Sequence, residues 1–198
     1  LFKLPGQDHL YRDWSWTKDN SGGQGEVNLN RAIYRSSNVY FYDLASRMEV
    51  DTLLGFAGQF GFGRNLALDI PQASSGLLPT PSWKRNVKNQ PWYPGDSVNL
   101  GIGQGDLLAT PLQMATVAAT IANRGRVVRP KMLLCCGDAI DEMNGVEEPP
   151  QIVGLSEEDW ESMVASMEDV VHRGDKGFRG NGTAWAYIGQ KIGYRMAG

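Results

Sequence analysis

The stretch Asn28-Leu-Asn-Arg-Ala-Ile-Tyr-Arg-Ser-Ser-Asn-Val-Tyr-Phe-Tyr-Asp-Leu-Ala-Ser-Arg-Met48 carries a helical apolar pattern that breaks in its middle. Apolar residues follow helical spacing at Leu29 and Ile33, and again from Phe41 onward. Between these halves, where the pattern calls for another apolar side chain, the chain has the small polar run Ser36-Ser-Asn38. The sequence therefore predicts two helical segments with a polar interruption between them.

Two interpretations of this polar run are open. Serine and asparagine are preferred at helix N-termini, where a side-chain oxygen accepts a hydrogen bond from an unpaired backbone N–H. One helix would then end near Arg35 and the next would begin at Ser37 or Asn38, with the run as a capped corner. In the other interpretation the corner points a hydroxyl and a carboxamide into a cleft. The stretch itself does not decide between them.

Size and composition indicate an ordinary globular domain. The chain has 198 residues, of which 41% are hydrophobic and 21% charged, and its formal net charge is −3. That length can bury a real core, and the charge balance has no basic excess that would indicate nucleic-acid binding. No run of roughly 18 apolar residues is present, so any targeting or anchoring segment is expected outside this chain.

The cysteines and histidines argue against a disulfide framework and a metal site. Cys135 and Cys136 are adjacent, and a disulfide between neighbours is strained and holds no loop. The simpler interpretation is two small apolar residues that close an apolar run. His9 and His172 lie far apart without partnered ligands nearby, which argues against zinc. We expect no metal or other cofactor.

Two helices in the second half carry clear start signals. Thr110-Pro-Leu-Gln113 is a capping box with proline at the first helical position, and its helix is predicted to stop at Gly125. Ser156-Glu-Glu-Asp159 resembles the same device. The following apolar face predicts a core helix through these residues: Trp160, Met163, Val164, Met167, Val170 and Val171.

The remaining segments give weaker predictions. Residues 1–26 and 62–105 are predicted to be irregular, the second because of its many prolines, and so long a loop is often functional. Asp51 is predicted to cap a short helix that ends at Gly61. Lys191-Ile-Gly-Tyr-Arg-Met-Ala197 alternates as a strand does.

Three short motifs have plain interpretations. Gly101-Ile-Gly-Gln-Gly105 places its third glycine wrongly for a nucleotide loop, so we interpret it as a tight turn. Asn181-Gly-Thr183 fits the glycosylation pattern but indicates a turn. Pro91-Trp-Tyr-Pro94 fits either stacking on a ligand or anchoring of the loop to the core. Composition and spacing by themselves thus predict a mixed α and β domain without a complete catalytic set.

Several stretches taken together resemble the penicillin-binding transpeptidases, which cross-link bacterial peptidoglycan. Ser36-Ser-Asn38 resembles their second active-site motif, serine–any–asparagine, which lies at a corner between two helices. Four further stretches resemble a passage typical of penicillin-binding protein 2, the elongation-specific type. They are Trp83-Lys84, Pro91-Trp-Tyr-Pro-Gly-Asp96, Gly101-Ile-Gly-Gln-Gly105 and Thr110-Pro-Leu-Gln113. Tyr11-Arg-Asp-Trp14 and Asn181-Gly-Thr-Ala184 are also similar to that type. The matches run in family order over nearly the whole chain.

The resemblance implies roles for Ser36 and Asn38. In this family a lysine activates a serine, which attacks the penultimate D-alanine carbonyl of a stem peptide. Ser36 would relay a proton between the lysine and the leaving amine, since a hydroxyl both donates and accepts. Asn38 would bind an amide of the donor peptide and help to orient the lysine. Ser37 would then be structural, and the polar run would interrupt the apolar pattern because a substrate pocket lies over it.

The family's other two motifs are not matched within this chain. Ser15-Trp-Thr-Lys18 fits the bare serine–any–any–lysine pattern, but it lies too close to Ser36 and in a polar stretch. The lysine–serine/threonine–glycine motif would begin where the predicted strand ends, at Gly198. We therefore expect residues 1–198 to be part of one transpeptidase domain without the nucleophile, the general base or the oxyanion hole.

The expected architecture is the α+β fold that penicillin-binding proteins share with serine β-lactamases, with a mostly antiparallel sheet flanked by helices and incomplete in this chain. The resemblance implies a parent protein at the periplasmic face of the inner membrane. Its expected partners are peptidoglycan stem peptides, β-lactam antibiotics, and glycan-polymerising and rod-shape proteins, with no nucleic acid. The alternatives are a β-lactamase or penicillin sensor of the same fold, or a non-catalytic binding module.

Overall fold

The structure is a computed structural model that describes residues 1–18, 23–66, 72–130, 150–174, 177 and 180–198. The described chain divides into two compact units. The first contains residues 1–50, 92–105 and 157–198, and the second contains residues 51–91 and 106–156. Each unit is therefore built from segments that are distant in the sequence.

The first unit combines a small antiparallel sheet with helices. Strands β1 (Phe2–Lys3) and β2 (Leu10–Tyr11) pair with Phe2 opposite Tyr11. Its helices are α1 (Trp14–Lys18), α2 (Leu29–Tyr34), α3 (Asn38–Arg47), α6 (Pro94–Leu100), α8 (Glu157–His172) and a π-helical turn (Trp185–Gly189). Helix α2 packs against α8, and α3 packs against α6 and β1.

The core of the first unit explains why α3 is amphipathic. The core is formed by three buried residues: Leu4, which follows β1, Tyr42 of α3 and Val98 of α6. Four partly buried side chains pack around them: Phe2, Tyr11, Val39 and Ile102. Helices α3 and α6 approach closely where a Cβ at Gly101 would lie 2.4 Å from the Cβ of Ala45. A side chain at position 101 would therefore push the two helices apart.

The second unit contains helices α4 (Val50–Gln59), α5 (Pro81–Lys88) and α7 (Pro111–Ala122). Isolated antiparallel bridges join Leu77 to Leu108 and Arg126 to Gln151. The predicted Thr110–Gln113 capping box is confirmed, since each side chain accepts from the other residue's backbone N–H. Gln113 is also 1% exposed.

Gln113 holds several loops of the second unit together. Its amide nitrogen Nε2 lies 3.0 Å from the carbonyl oxygens of both Gly61 and Arg64, and 2.8 Å from that of Ser75. An amide has only two N–H groups, so one of them is shared between carbonyls. The side chain that starts α7 therefore also fixes the two turns that face it.

The structure corrects both predictions of irregular chain. Residues 1–26 contain β1, β2 and α1. Residues 62–105 contain α5 and α6, each with proline in its first turn. Proline is favoured there because the first helical N–H needs no intrahelical acceptor. Asp51 lies inside the first turn of α4 and does not precede it.

The predicted strand Lys191–Ala197 is also wrong. The structure has no strand over residues 191–198. Its backbone N–H groups bond elsewhere, since Met196 N donates to His172 Nε2 at 2.9 Å and Gly198 N donates to Met167 O at 2.9 Å. Alternation of apolar and polar residues does not by itself make a strand, because the backbone N–H and C=O groups also need a neighbouring strand to bond. The interpretation of Cys135 and Cys136 lies outside the described residues.

The aromatic passage has a structural role that neither of its two interpretations named. Tyr93 is the N-cap of α6, and its backbone N–H donates to the side chain of Asp96 at 2.7 Å. Trp92 Nε1 donates to Ser97 Oγ at 2.9 Å. The passage therefore starts a helix. In the turn that follows α6, Gly103 and Gly105 take left-handed backbone angles, as the predicted tight turn requires.

Candidate active-site corner

Helix α2 ends in a Schellman motif, and Ser36 occupies its left-handed position. Ser36 N donates to Ile33 O at 3.0 Å and Ser37 N donates to Ala32 O at 2.9 Å, which is the bond pattern of that motif. Ser36 has a φ of 51°. Glycine is the usual residue there, because a side chain at positive φ is strained. The corner that the sequence predicts is therefore made by an exposed, strained serine.

A segment from the other end of the chain lies against this corner. Ser36 Oγ is 3.3 Å from Thr183 Oγ1, and either hydroxyl can donate. Thr183 N donates to Tyr34 O at 3.1 Å, and Arg35 Nη1 donates to Asn181 O at 2.7 Å. The stretch Asn181–Thr183 is therefore fixed beside Ser36 by its backbone as well as by a side chain.

Asn38 is the first residue of α3 and is half-buried. Its side chain is hydrogen-bonded to that of Tyr42, one helical turn further on. Burial raises the pKa of the Tyr42 phenol, the hydrogen bond to Asn38 lowers it, and the nearby side chains of Tyr11 and Asp13 raise it.

Ser37 does not cap α3 with its side chain, although it stands at the N-cap position. It is 2% exposed, and its hydroxyl donates to Asp13 Oδ2 at 3.2 Å. The capped-corner interpretation therefore fails for this hydroxyl, because a carboxylate takes the hydrogen bond. The structural role that the resemblance implies for Ser37 agrees with its burial.

Asp13 is the centre of a buried polar cluster beneath the corner. It also accepts from Ser15 Oγ at 2.6 Å, from Ser15 N at 3.3 Å and from Gln24 Nε2 at 3.3 Å. A small cavity of about 170 Å³ adjoins this cluster, with Asp13, Ser37 and Val39 in its wall. Ser15 is 2% exposed, and its bond to Asp13 occupies the hydroxyl, which argues further against Ser15 as the nucleophile.

The two sequence-predicted site residues are placed at the same corner. Ser36 is exposed on the outer side of the turn, and Asn38 lies half-buried at the start of α3. That both face one substrate pocket stays a prediction. Sequence reasoning gave no role to Thr183 beside Ser36, to Tyr42 beside Asn38, or to Asp13, which contacts the intervening Ser37. The available signals were the two family-like stretches Tyr11–Trp14 and Asn181–Ala184.

Within the described part of the chain, no group of three or more His, Cys, Asp or Glu side chains is arranged to hold a metal ion. Among those same residues, no helix has the length and apolar composition needed to cross a membrane.

Comparison with known families gives a match over almost the entire chain. Residues 2–198 match the family described as penicillin binding protein transpeptidase domain. A curated relative, the peptidoglycan D,D-transpeptidase MrdA of Acinetobacter baumannii, is 38% identical over 175 residues. That alignment covers 87% of this chain and 25% of the relative, so the chain spans about a quarter of the relative's length.

Two solved structures have the same fold. Pseudomonas aeruginosa PBP2, in complex with WCK 5153, has a TM-score of 0.81 and 38% identity, covering 99% of this chain and 41% of that one. Helicobacter pylori PBP2, in a complex with MreC, has a TM-score of 0.70 and 27% identity, covering 92% and 31%. The expected α+β transpeptidase fold is therefore confirmed, with the short β1–β2 pair and the helices as its described part.

Proposed function

The chain belongs to the penicillin-binding protein transpeptidase domain family, and on that premise we propose that it is part of a peptidoglycan D,D-transpeptidase. Residues 1–198 would belong to one such domain and supply its second active-site element. The identity to MrdA and the fold shared with PBP2 support this proposal. The observation that carries it is the exposed Ser36 at a φ of 51°, the serine that resembles the first residue of the family's second motif.

The backbone of Ser36 gives this assignment a physical argument. A residue held in a sparsely populated region of φ and ψ costs about 1–3 kcal/mol, and such residues cluster at functional sites. Glycine would avoid that cost at the left-handed position of the motif. A serine that stays exposed there is consistent with a hydroxyl that reacts, since burial and packing do not account for it.

The proposed reaction is an acyl transfer in two steps. A serine oxygen from another part of the protein attacks the carbonyl carbon of the penultimate D-alanine. A new C–O bond forms, the C–N bond to the terminal D-alanine breaks, and that D-alanine leaves as the free amino acid. The acyl group then passes from the serine oxygen to the amine of a second stem peptide, and the serine regains its proton.

Ser36 and Asn38 would serve the first step from the corner. The leaving nitrogen needs a proton, and the Ser36 hydroxyl can donate one while it accepts another from the catalytic lysine. Thr183 Oγ1, at 3.3 Å, gives this hydroxyl a second partner that can fix its orientation. Asn38 would bind an amide of the donor peptide through its carboxamide group.

The proposal extends to the cellular setting. The intact protein would act in the periplasm, anchored to the inner membrane, where it would help to maintain cell shape and would be a target of β-lactam antibiotics. The Helicobacter relative in a complex with MreC supports a rod-shape partner. A glycan-polymerising enzyme would supply the strands that this protein cross-links.

The test is a serine-to-alanine substitution in the full-length protein. Ser36→Ala should slow both acylation by a fluorescent penicillin and cross-linking of a D-Ala-D-Ala peptide by about 100-fold or more, as for loss of a proton-transfer group. The matched control is Ser46→Ala, because Ser46 is an exposed serine on α3 whose hydroxyl donates to a neighbouring backbone carbonyl, Asp43 O, at 2.7 Å.

Equal rates for the two variants would remove Ser36 from the reaction. Rapid, continuing turnover of a chromogenic cephalosporin by the wild-type protein would instead indicate a β-lactamase of the same fold.

A further inference from the structure

One short segment holds the residues on both sides of Ser36. Asp13 Oδ2 accepts from the hydroxyl of Ser37 at 3.2 Å, on the side that leads into α3. Trp14 Nε1 donates to the carbonyl oxygen of Arg35 at 3.0 Å, on the side that leaves α2. Asp13 therefore holds the residue after Ser36, and Trp14, the first residue of α1, holds the residue before it.

Asp13 is itself fixed in place. Asp13 is only 9% exposed, and its carboxylate accepts hydrogen bonds from Ser15 and Gln24 as well as from Ser37. A carboxylate suits this position because every neighbour directed at it is a donor. Buried hydrogen bonds to a charged acceptor are stronger than neutral ones, so the cluster resists displacement of Ser37.

Trp14 holds Arg35 by more than the carbonyl bond. The Arg35 guanidinium carbon lies 4.9 Å from the centroid of the Trp14 ring, and Arg35 Nη1 donates to Asn181 O at 2.7 Å. Arg35 is 4% exposed. The indole therefore contacts both the main chain and the side chain of the residue before Ser36, and Arg35 in turn holds the segment that carries Thr183.

A strained backbone persists only when its surroundings determine it from several sides. Left to itself, the Ser36 turn would relax toward a backbone with negative φ and move its hydroxyl. We propose that Asp13 and Trp14 are positioning residues for the transpeptidase reaction. Asp13 hydrogen-bonds to Ser37 and Trp14 to Arg35, and these two bonds fix the left-handed backbone of Ser36. This inference rests on the function proposed above, and neither side chain is proposed to touch substrate.

Three substitutions in the full-length protein test these two hydrogen bonds. Asp13→Asn replaces one acceptor oxygen by a donor, Ser37→Ala removes the hydroxyl from the other side of the same bond, and Trp14→Phe keeps a ring but removes the indole N–H. Misplacement of a reacting group by about 1 Å can cost up to about 100-fold in rate. We expect each variant to lower the second-order rate constant for acylation by a fluorescent penicillin by about 10- to 100-fold.

The matched control is Asn30→Ala. Asn30 lies on α2, in the same unit, and its Nδ2 donates to Ser166 Oγ at 2.9 Å and to Asp169 Oδ2 at 3.4 Å. Its substitution loses partly buried polar contacts and leaves the hydrogen bonds of Asp13 and Trp14 to the corner in place. We expect Asn30→Ala to lower the melting temperature while it acylates at the wild-type rate, which separates loss of stability from loss of positioning.

A double-mutant cycle distinguishes positioning from a general structural role. If Asp13 acts through Ser36, then Ser37→Ala or Asp13→Asn should cause no further loss of rate in a Ser36→Ala background. Additive losses in that background would overturn the proposal, and so would wild-type acylation by Ser37→Ala and Trp14→Phe. Should Asp13→Asn fail to fold, those two variants still decide.

The failure of this inference and that of the proposed function are distinguishable. A normal rate for Ser36→Ala alone would contradict the function. A slow Ser36→Ala together with normal Ser37→Ala and Trp14→Phe would leave the function intact and remove the positioning role.

Discussion

The two units each contain a left-handed residue beside a buried polar side chain, and they differ in which residue is left-handed. In the second unit it is Gly76, with a φ of 60°. A Cβ there would lie 2.3 Å from Leu108 O and 2.8 Å from Gln113 Oε1. In the first unit it is Ser36, with a φ of 51°. At these two positions, glycine stands where a Cβ would clash with neighbouring oxygens, and serine stands where the side chain is exposed.

The buried polar side chains differ in a corresponding way. Gln113 faces three carbonyl oxygens and one backbone N–H, so it must both donate and accept. Asp13 receives only donors. An amide suits the first set and a carboxylate suits the second. Exchanging the chemistry of either side chain should therefore be costly.

The largest effect is expected for Gln113→Glu. The substitution keeps the shape but directs a carboxylate at the carbonyl oxygens of Gly61, Arg64 and Ser75. Loss of the donors and burial of an unpaired charge should destabilise the second unit by about 3–5 kcal/mol. Thermal melting of the full-length protein measures this loss.

Gln90→Ala serves as the control for that measurement, because Gln90 is exposed in the same unit. It should change stability by less than about 0.5 kcal/mol. Melting of Gln113→Glu at the temperature of the control would show that Gln113 is not the centre of the loop contacts.

The next effect comes from exchanging the two left-handed residues. Gly76→Ser adds a Cβ that clashes with a backbone oxygen at positive φ, and it should destabilise by about 2–4 kcal/mol. Ser36→Gly relieves strain and should stabilise by about 0.5 kcal/mol, yet it should abolish the contribution of the hydroxyl to acylation. Opposite signs of the two melting shifts are the critical observation, and a destabilising Ser36→Gly would mean that Ser36 is not strained.

A smaller effect than that of Gly76→Ser is expected for Tyr42→Phe. Burial raises the pKa of Tyr42 above its ordinary value of 10.0, so the unfolded chain ionises first as pH rises. Stability from the neutral phenol is therefore complete below pH 10 and is lost as pH rises through the raised pKa of the folded state. Tyr42→Phe loses the bond to Asn38, about 1 kcal/mol, but it also loses this alkaline dependence.

Melting curves of the wild type and Tyr42→Phe between neutral pH and pH 11 check this, with absorbance at 295 nm to follow phenolate formation. The stability difference between the two proteins should shrink above pH 10. A constant difference would mean that the Tyr42 phenol ionises as freely in the fold as in the unfolded chain. The neutral amide of Gln113 predicts no such dependence in the second unit.

Local signals in the sequence were sufficient for the helices that have strong start signals. The Thr110–Gln113 box and the apolar face after Trp160 predicted α7 and α8 correctly. Thr80-Pro81 repeats the threonine–proline start of α7, and Thr80 does cap α5 by accepting from Trp83 N. Prolines in that region were interpreted only as breakers, so an available signal was missed.

The corner itself could be predicted only in part. Its polar run and its position between two helices are visible in the sequence. The left-handed backbone of Ser36 was not predictable, because the residue that usually marks such a position is glycine. The contacts of Asp13, Trp14 and Thr183 depend on tertiary packing, which no local pattern encodes. The failed strand at residues 191–197 has the same origin, since pairing is not a local property.

The contacts of Arg35 and Ser36 with Asn181 and Thr183 have a consequence for folding order. These partners are separated by 146 and 147 residues along the chain. During synthesis the corner cannot be completed early, because all of the intervening polypeptide has to leave the ribosome before Thr183 can reach it. Contacts of such long range are also entropically expensive to close, so this turn should be among the last features to mature.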